Sequence, residues 1–379
     1  MSSSRLKSNR PSTSTEAPSM PATVTDSGTA VRDSEHMSMD RARLPRWAPL
    51  LVAVVATALA ALLALTLDWS VAGWALLAVV VYVVALPAWS RLVENSRTAL
   101  DRLVTTLVWA AFAIALVPLV SLVVKVLTEG APALSAEFLT FSMRNVVGEG
   151  GGIYHAIIGT LLITLAATVI SVPVGLMTAI YLTEYGNNNR TARTITFLVD
   201  VMTGIPSIVA GLFAYALFVL FFGEGVRLGF GGAVALSLLM IPIVVRACEE
   251  MLKLVPADLR EASYALGVPK WRTITKVVLP TALAGIITGI TLAVARVIGE
   301  TAPLLIIAGS TDSVNMNLFA ERMMTLPVFI YYSYTQPGVP AEFGQERAWG
   351  AALVLIVIVM SLNLLARAVG KFFSPKTGH

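Results

Sequence analysis

The sequence predicts an all-α, polytopic membrane protein with eight spans: a working core of six transmembrane helices preceded by a two-helix hairpin. Three observations predict it. Apolar residues make up 56% of the 379 and charged residues only 13%, with a mean hydropathy of +0.77. Uncharged runs long enough to cross the hydrocarbon core, about 20 residues, recur along the chain. Lys and Arg gather in alternate connecting segments, as the positive-inside rule requires.

The runs, bounded by flanking charges, are 48–67, 69–90, 103–124, 150–183, 201–223, 228–245, 277–308 and 348–366. Helices are the spanning element at this length, because each satisfies its own backbone in lipid. With a cytoplasmic amino terminus, the inside segments hold 21 Lys and Arg and the outside segments 5, leaving Arg296 within a span. That bias puts both termini and the 246–280 loop in the cytoplasm. It also accounts for the net charge of +4 as a topology signal, so no nucleic-acid partner is expected.

Residues 1–47, rich in Ser, Thr, Pro and mixed charge, are expected to form a disordered cytoplasmic tail. No apolar h-region in the first 30 residues marks a cleavable signal peptide. The tail reads either as a solvated extension or as a segment for regulation or lipid contact. Segment 48–102 is an added transmembrane hairpin and cytoplasmic loop, with Asp68-Trp69-Ser70 as its turn. The core covers 103–370, and 371–379 is a cytoplasmic tail. Trp69, Trp74 and Trp89 suit the membrane interfaces.

In the outside segment 128–152, residues 133–139 read as a short amphipathic helix and Gly148–Gly152 as a flexible joint. In segment 309–347, a re-entrant or interfacial helix at 318–332 is one option. Cys248 is the sole cysteine, which excludes an intrachain disulfide. His36, His155 and His379 are scattered, and no grouping has metal-ligand spacing.

Two features go beyond crossing a bilayer. The first is the polar island from Glu261 to Pro280. Asp258 follows Pro256 at a helix start, where Glu261 also suits the dipole. Leu259, Ala262, Ser263 and Leu266 share a helical face, and Gly267 is placed to end the helix in the left-handed conformation. Pro269 starts a second helix with Lys270, Trp271 and Arg272, and Pro280 restarts the chain into the next span. Small Ala262 and Ser263 would let the first helix enter a groove closely; an ordinary linker is the plainer reading.

The second feature is Arg296 and Glu300 inside the apolar run 285–308. A lone charge at the centre of a span costs about 2.5–3.5 kcal/mol on insertion scales. At i,i+4 the two share a helix face and can pair, so they should face a bundle interior or a watery path. Either Arg296 meets an anionic substrate with Glu300 holding or releasing it, or the two form a structural ion pair. A guanidinium and the hydroxyls of Thr288, Thr291 and Thr301 suit an oxyanion. Pro206 either breaks its span toward a cavity or merely kinks it.

The pattern Glu261-Ala262-Ser263, then Gly267, Val277 and Leu279-Pro280, resembles the EAA loop of ABC-importer permeases, with Ser263 and Val277 as mild departures. That resemblance implies a type I ABC-importer permease core whose coupling helices, about 257–278, dock on an ATP-binding subunit. The chain holds no Gly-x-x-x-x-Gly-Lys-[Ser/Thr] loop. The ATPase, with its ATP and Mg, would therefore be a separate protein, and no cofactor is expected here.

Three segments look like signatures of phosphate-specific permeases: 204–211 (Gly-Ile-Pro-Ser-Ile-Val-Ala-Gly), 246–252 (Arg-Ala-Cys-Glu-Glu-Met-Leu) and Ala295–Leu304. The late segments 326–331 and 348–352 are similar to the PstA type rather than its PstC-type partner. The resemblance covers roughly 103–370.

It implies a bacterial inner-membrane phosphate importer: this permease, a homologous PstC-type permease, a PstB-type ATPase dimer and an external phosphate-binding protein. The family's membrane charges map onto Arg296, Glu300 and Arg246, with Thr301 beside them. Arg246 reads equally as a positive-inside anchor. The coupling residues are Glu261, Ala262, Ser263, Leu266 and Gly267. Rival readings are a sulfate or molybdate permease, an ion-coupled secondary transporter that needs no ATPase, and a membrane-bound sensor or scaffold.

Overall fold

The computed structural model describes residues 44–67, 71–186 and 189–373. The expected tails lie largely outside these residues, as does the turn at 68–70. All regular elements among the described residues are helical. Seven helices are long and apolar enough to cross a membrane, and a bent pair raises the count to as many as eight. The described residues fall into two compact units that divide between Phe112 and Ala113.

The first unit holds α1 (Ala48–Leu67), α2 (Val71–Val93) and the start of α3 (Ser96–Gly130). Ala48, Val52, Ala56 and Ala60 recur every fourth residue, so they share one face of α1, and all are buried. Trp74 donates its indole N–H to the Thr57 carbonyl at 3.2 Å, tying α2 to α1. Between α2 and α3, Glu94 accepts from Ser90 Oγ (2.6 Å), the Leu44 amide (2.7 Å) and Arg102 Nη2 (2.8 Å). Burial alone would raise the Glu94 pKa, but these hydrogen bonds and the nearby Arg102 charge hold it below the usual carboxylate range.

The second unit begins with the rest of α3, followed by the short α4 (Ala136–Thr140), which Ser135 caps by accepting the Phe138 amide. The glycine run after it is pinned: Arg347 donates to the carbonyls of Gly148 (2.7 Å) and Gly150 (3.0 Å). Then follow α5 (Tyr154–Ile180), prolonged by a π-helical turn (Tyr181–Tyr185), α6 (Arg190–Thr203), α7 (Ser207–Phe222) and α8 (Gly229–Lys253). The centre of this unit is α5 against α8. Leu236, Met240, Val244, Cys248 and Leu252 recur every fourth residue on α8 and are wholly buried. Truncating Leu236, Met240 or Leu252 to Ala costs about 2–5 kcal/mol.

The chain continues through α9 (Ala257–Ala265), α10 (Lys270–Thr273), a π-helical turn (Ile274–Val278), α11 (Leu279–Val297), α12 (Ala302–Ile307), α13 (Leu326–Thr335) and α14 (Ala341–Phe373). Thr160 on α5 accepts the Leu326 amide at 2.8 Å and so seats the start of α13.

Four expectations change. Run 201–223 is not one straight span: α6 and α7 meet at 108° across residues 204–206. Pro206 lacks an N–H and stands at the N-cap of α7, so it cannot carry α6 onward. Run 277–308 ends as a span at Val297, and α12 is a separate short helix. Pro303 near the start of α12 prevents a continuous helix through 299, because its ring would collide with that carbonyl. The second helix of the island does start after Pro269, as α10, but it runs on without a break into the next span, so residues 270–297 are continuous. A π-helical turn just ahead of Pro280 accommodates the missing backbone donor. Finally, the helix sought at 318–332 lies at Leu326–Thr335, after a loop.

Candidate functional site: a cavity at a helix break and a polar island

The break at Gly204–Pro206 opens a cavity of about 300 Å³. Thr203, Pro206 and Ser207 line it from the break, Pro242 and Ile243 from α8, and Arg296 and Glu300 from the end of α11. Polar hydroxyls and two charges thus meet apolar walls, the usual make-up of a small-ligand site.

Arg296 sits in the last turn of α11, where a cation suits the helix dipole. Glu300 lies past the helix end, its amide bonded to the Val297 carbonyl at 3.1 Å. The i,i+4 pairing expected from the sequence requires the helix to continue, and it stops three residues short. No ion pair joins Arg296 to Glu300 among the described residues. The guanidinium donors of Arg296 are therefore open to the cavity.

Thr301 holds the N-cap position of α12 and is not part of the cavity wall. Behind the wall, α12 presses on α7: a methyl placed on Gly211 would lie 2.6 Å from Pro303 Cα. Only glycine permits that approach.

Arg246 takes a different place. On α8 it pairs with Asp200 of α6 and donates to Glu249 Oε2 at 2.8 Å, and Glu249 also accepts Lys253 Nζ at 2.6 Å. Its fork is used in tying α6 to α8, and it does not line the cavity.

At the Glu261–Pro280 island, α9 exposes Glu261 and Ala262, and Leu266 at its C-cap is 83% exposed. Trp271 nearby is 57% exposed. Gly267 has φ +73°, and the amides of Gly267 and Val268 cap α9 by donating to Tyr264 and Ser263. Ser263 departs from the face expected of it. It is buried, and its hydroxyl lies 2.8 Å from that of Thr273, which ties α9 to α10.

Sequence reasoning missed the polar centre of this island. Arg260 Nε and Nη2 both donate to Glu184 Oε1, at 3.0 and 2.8 Å. Lys270 reaches the Glu184 carbonyl and lies 4.9 Å over the Tyr185 ring. The available signal was Glu184 itself, a charge at the end of an apolar run longer than a span needs.

Residues 171–379 match the family model described as the binding-protein-dependent transport system inner membrane component. The chain belongs to this family, as a multi-pass inner-membrane permease subunit. The phosphate transport system permease protein PstA 1 of Mycobacterium tuberculosis (strain ATCC 25618 / H37Rv) is 49% identical over 268 residues, covering 70% of this chain and 85% of that protein. PstA of Mycobacterium leprae (strain TN) is 45% identical over 281 residues, covering 73% and 91%.

These likenesses place the chain with the PstA-type permeases. Among solved structures, a bacterial alginate ABC transporter in complex with alginate pentasaccharide-bound periplasmic protein aligns with a TM-score of 0.50 at 14% identity. The alignment covers 72% of this chain and 96% of that one, and the likeness is one of fold.

Proposed function

We propose that this chain is the PstA-type half of an ATP-driven importer of inorganic phosphate. The observation that carries the reading is the unpaired Arg296 facing a cavity with Glu300, Thr203 and Ser207, in a chain whose relatives are named for phosphate transport. A planar guanidinium matches two oxygens of a phosphate at once, and Glu300 on the same wall keeps the anion from being held too tightly to leave. Thr301 supports the site through α12 rather than from the cavity wall, and Arg246 anchors α6.

A homologous PstC-type permease completes the path, and an external phosphate-binding protein delivers the anion. A PstB-type ATPase dimer holds ATP and Mg and docks on Glu261, Ala262 and Leu266 of α9, whose end is set by Gly267 and whose rear is fastened by Ser263. Both termini lie in the cytoplasm, as the charge bias argues.

The test is phosphate uptake by the complete complex in vesicles. Arg296→Ala should abolish ATP-dependent uptake while the complex still assembles. Wild-type uptake in that variant would remove Arg296 from the path, and equal competition by sulfate or molybdate would reassign the anion.

A further inference from the structure

The buried contacts behind α9 are more elaborate than a surface for docking requires. Glu184 has a side chain only 5% exposed, in the π-helical turn that ends α5. Arg260 reaches it from α9 and also donates to the carbonyls of Leu252 (3.0 Å) and Val255 (2.7 Å) at the end of α8. One guanidinium thus binds α9 to two spans. The Ser263–Thr273 hydroxyl pair binds α9 to a third, the helical run 270–297. That run is 28 residues long, about 42 Å at 1.5 Å per residue, and its last turn carries Arg296. Two of the three tied spans, α8 and the 270–297 run, line the central cavity.

We propose that Arg260 and Glu184, with Ser263 and Thr273 beside them, form a rigid transmission joint. It makes a displacement of α9 a displacement of α5, α8 and α11 together, and so of Arg296. An apolar contact can slip by small amounts under load, whereas a guanidinium holding one carboxylate and two carbonyls fixes direction as well as distance. Arg260 and Glu184 are positioning residues, because neither touches the cavity. The inference rests on reading α9 as the surface that receives the ATPase.

The experiment uses the complete complex in ATP-loaded vesicles, with labelled phosphate and the binding protein outside, and measures uptake, hydrolysis and retention of the ATPase on the same preparation. Glu184→Gln keeps the shape of the buried side chain and removes its charge. It and Arg260→Met should retain the ATPase and hydrolyse ATP within about twofold of wild type, while phosphate moved per ATP falls about tenfold, the range of an ordinary coupling energy. Arg260→Lys keeps the charge without the fork and should fall between. Should Glu184→Gln fail to accumulate, Ser263→Ala carries the same test with a smaller loss.

An unchanged ratio of phosphate to ATP would overturn the joint. So would loss of the ATPase from a folded variant, since the pair would then only shape the docking surface. Leu266→Glu separates the two readings: if it still retains the ATPase, the docking surface is wrong whatever the joint does.

Discussion

The cavity and the α9 joint treat arginine in opposite ways. At the cavity end, Arg296 faces a space of about 300 Å³ with no carboxylate paired to it. At the α9 end, Arg260 puts four hydrogen bonds shorter than 3.1 Å into a buried carboxylate and two carbonyls. An unpaired guanidinium stays available to an anion that arrives and leaves. A saturated one cannot bind anything else and instead holds helices in register. Charge inside this protein therefore has two uses, and the hydrogen-bond partners tell them apart where the residue type does not.

Removing the partner at the saturated end should have the largest effect. Glu184→Ala leaves the partly buried Arg260, its side chain 20% exposed, without its counter-charge and held only by two carbonyls, a loss of about 3 kcal/mol, the low end for a broken buried pair. Thermal unfolding in detergent should show a marked fall in Tm, and an unchanged Tm would mean that water already satisfies Arg260. The converse change gives the free arginine a partner. Ser207→Asp puts a carboxylate at the start of α7, where the helix dipole tolerates it, in the lining of the cavity that Arg296 faces. Uptake should drop about a hundredfold, near 3 kcal/mol, with assembly intact, and normal uptake would show that the anion does not need an unpaired Arg296.

The smallest effect tests whether saturation behaves alike elsewhere. The lowered Glu94 pKa means that folding favours its ionised form. Its contribution is complete above the ordinary carboxylate range and is lost as pH falls through the lower folded value. Melting of wild type and Glu94→Gln should converge on acidification and differ at neutral pH; a constant gap would deny the linkage.

The spans and the short helix of the Glu261–Pro280 island were legible because hydropathy and helix signals are local properties. The left-handed Gly267 was legible for the same reason, since a helix that needs a stop shows it in one residue. The Arg296–Glu300 pair was misjudged because i,i+4 spacing presumes an unbroken helix, and Pro303 breaks it from farther on. Ser263 was assigned outward because a face drawn on one helix cannot show that Thr273, ten residues later, folds back onto it. Glu184 and Arg260 stand 76 residues apart, and no periodicity connects them.

The break at Gly204–Pro206 has a consequence for the lipid around the protein. It leaves α7 with 16 residues, about 24 Å of helix, against a hydrocarbon layer of about 30 Å. The shortfall brings hydrophobic mismatch to the flank of the central cavity, where the bilayer must thin or water must enter. Transport should then depend on acyl-chain length, with thinner membranes favouring the wet, open flank.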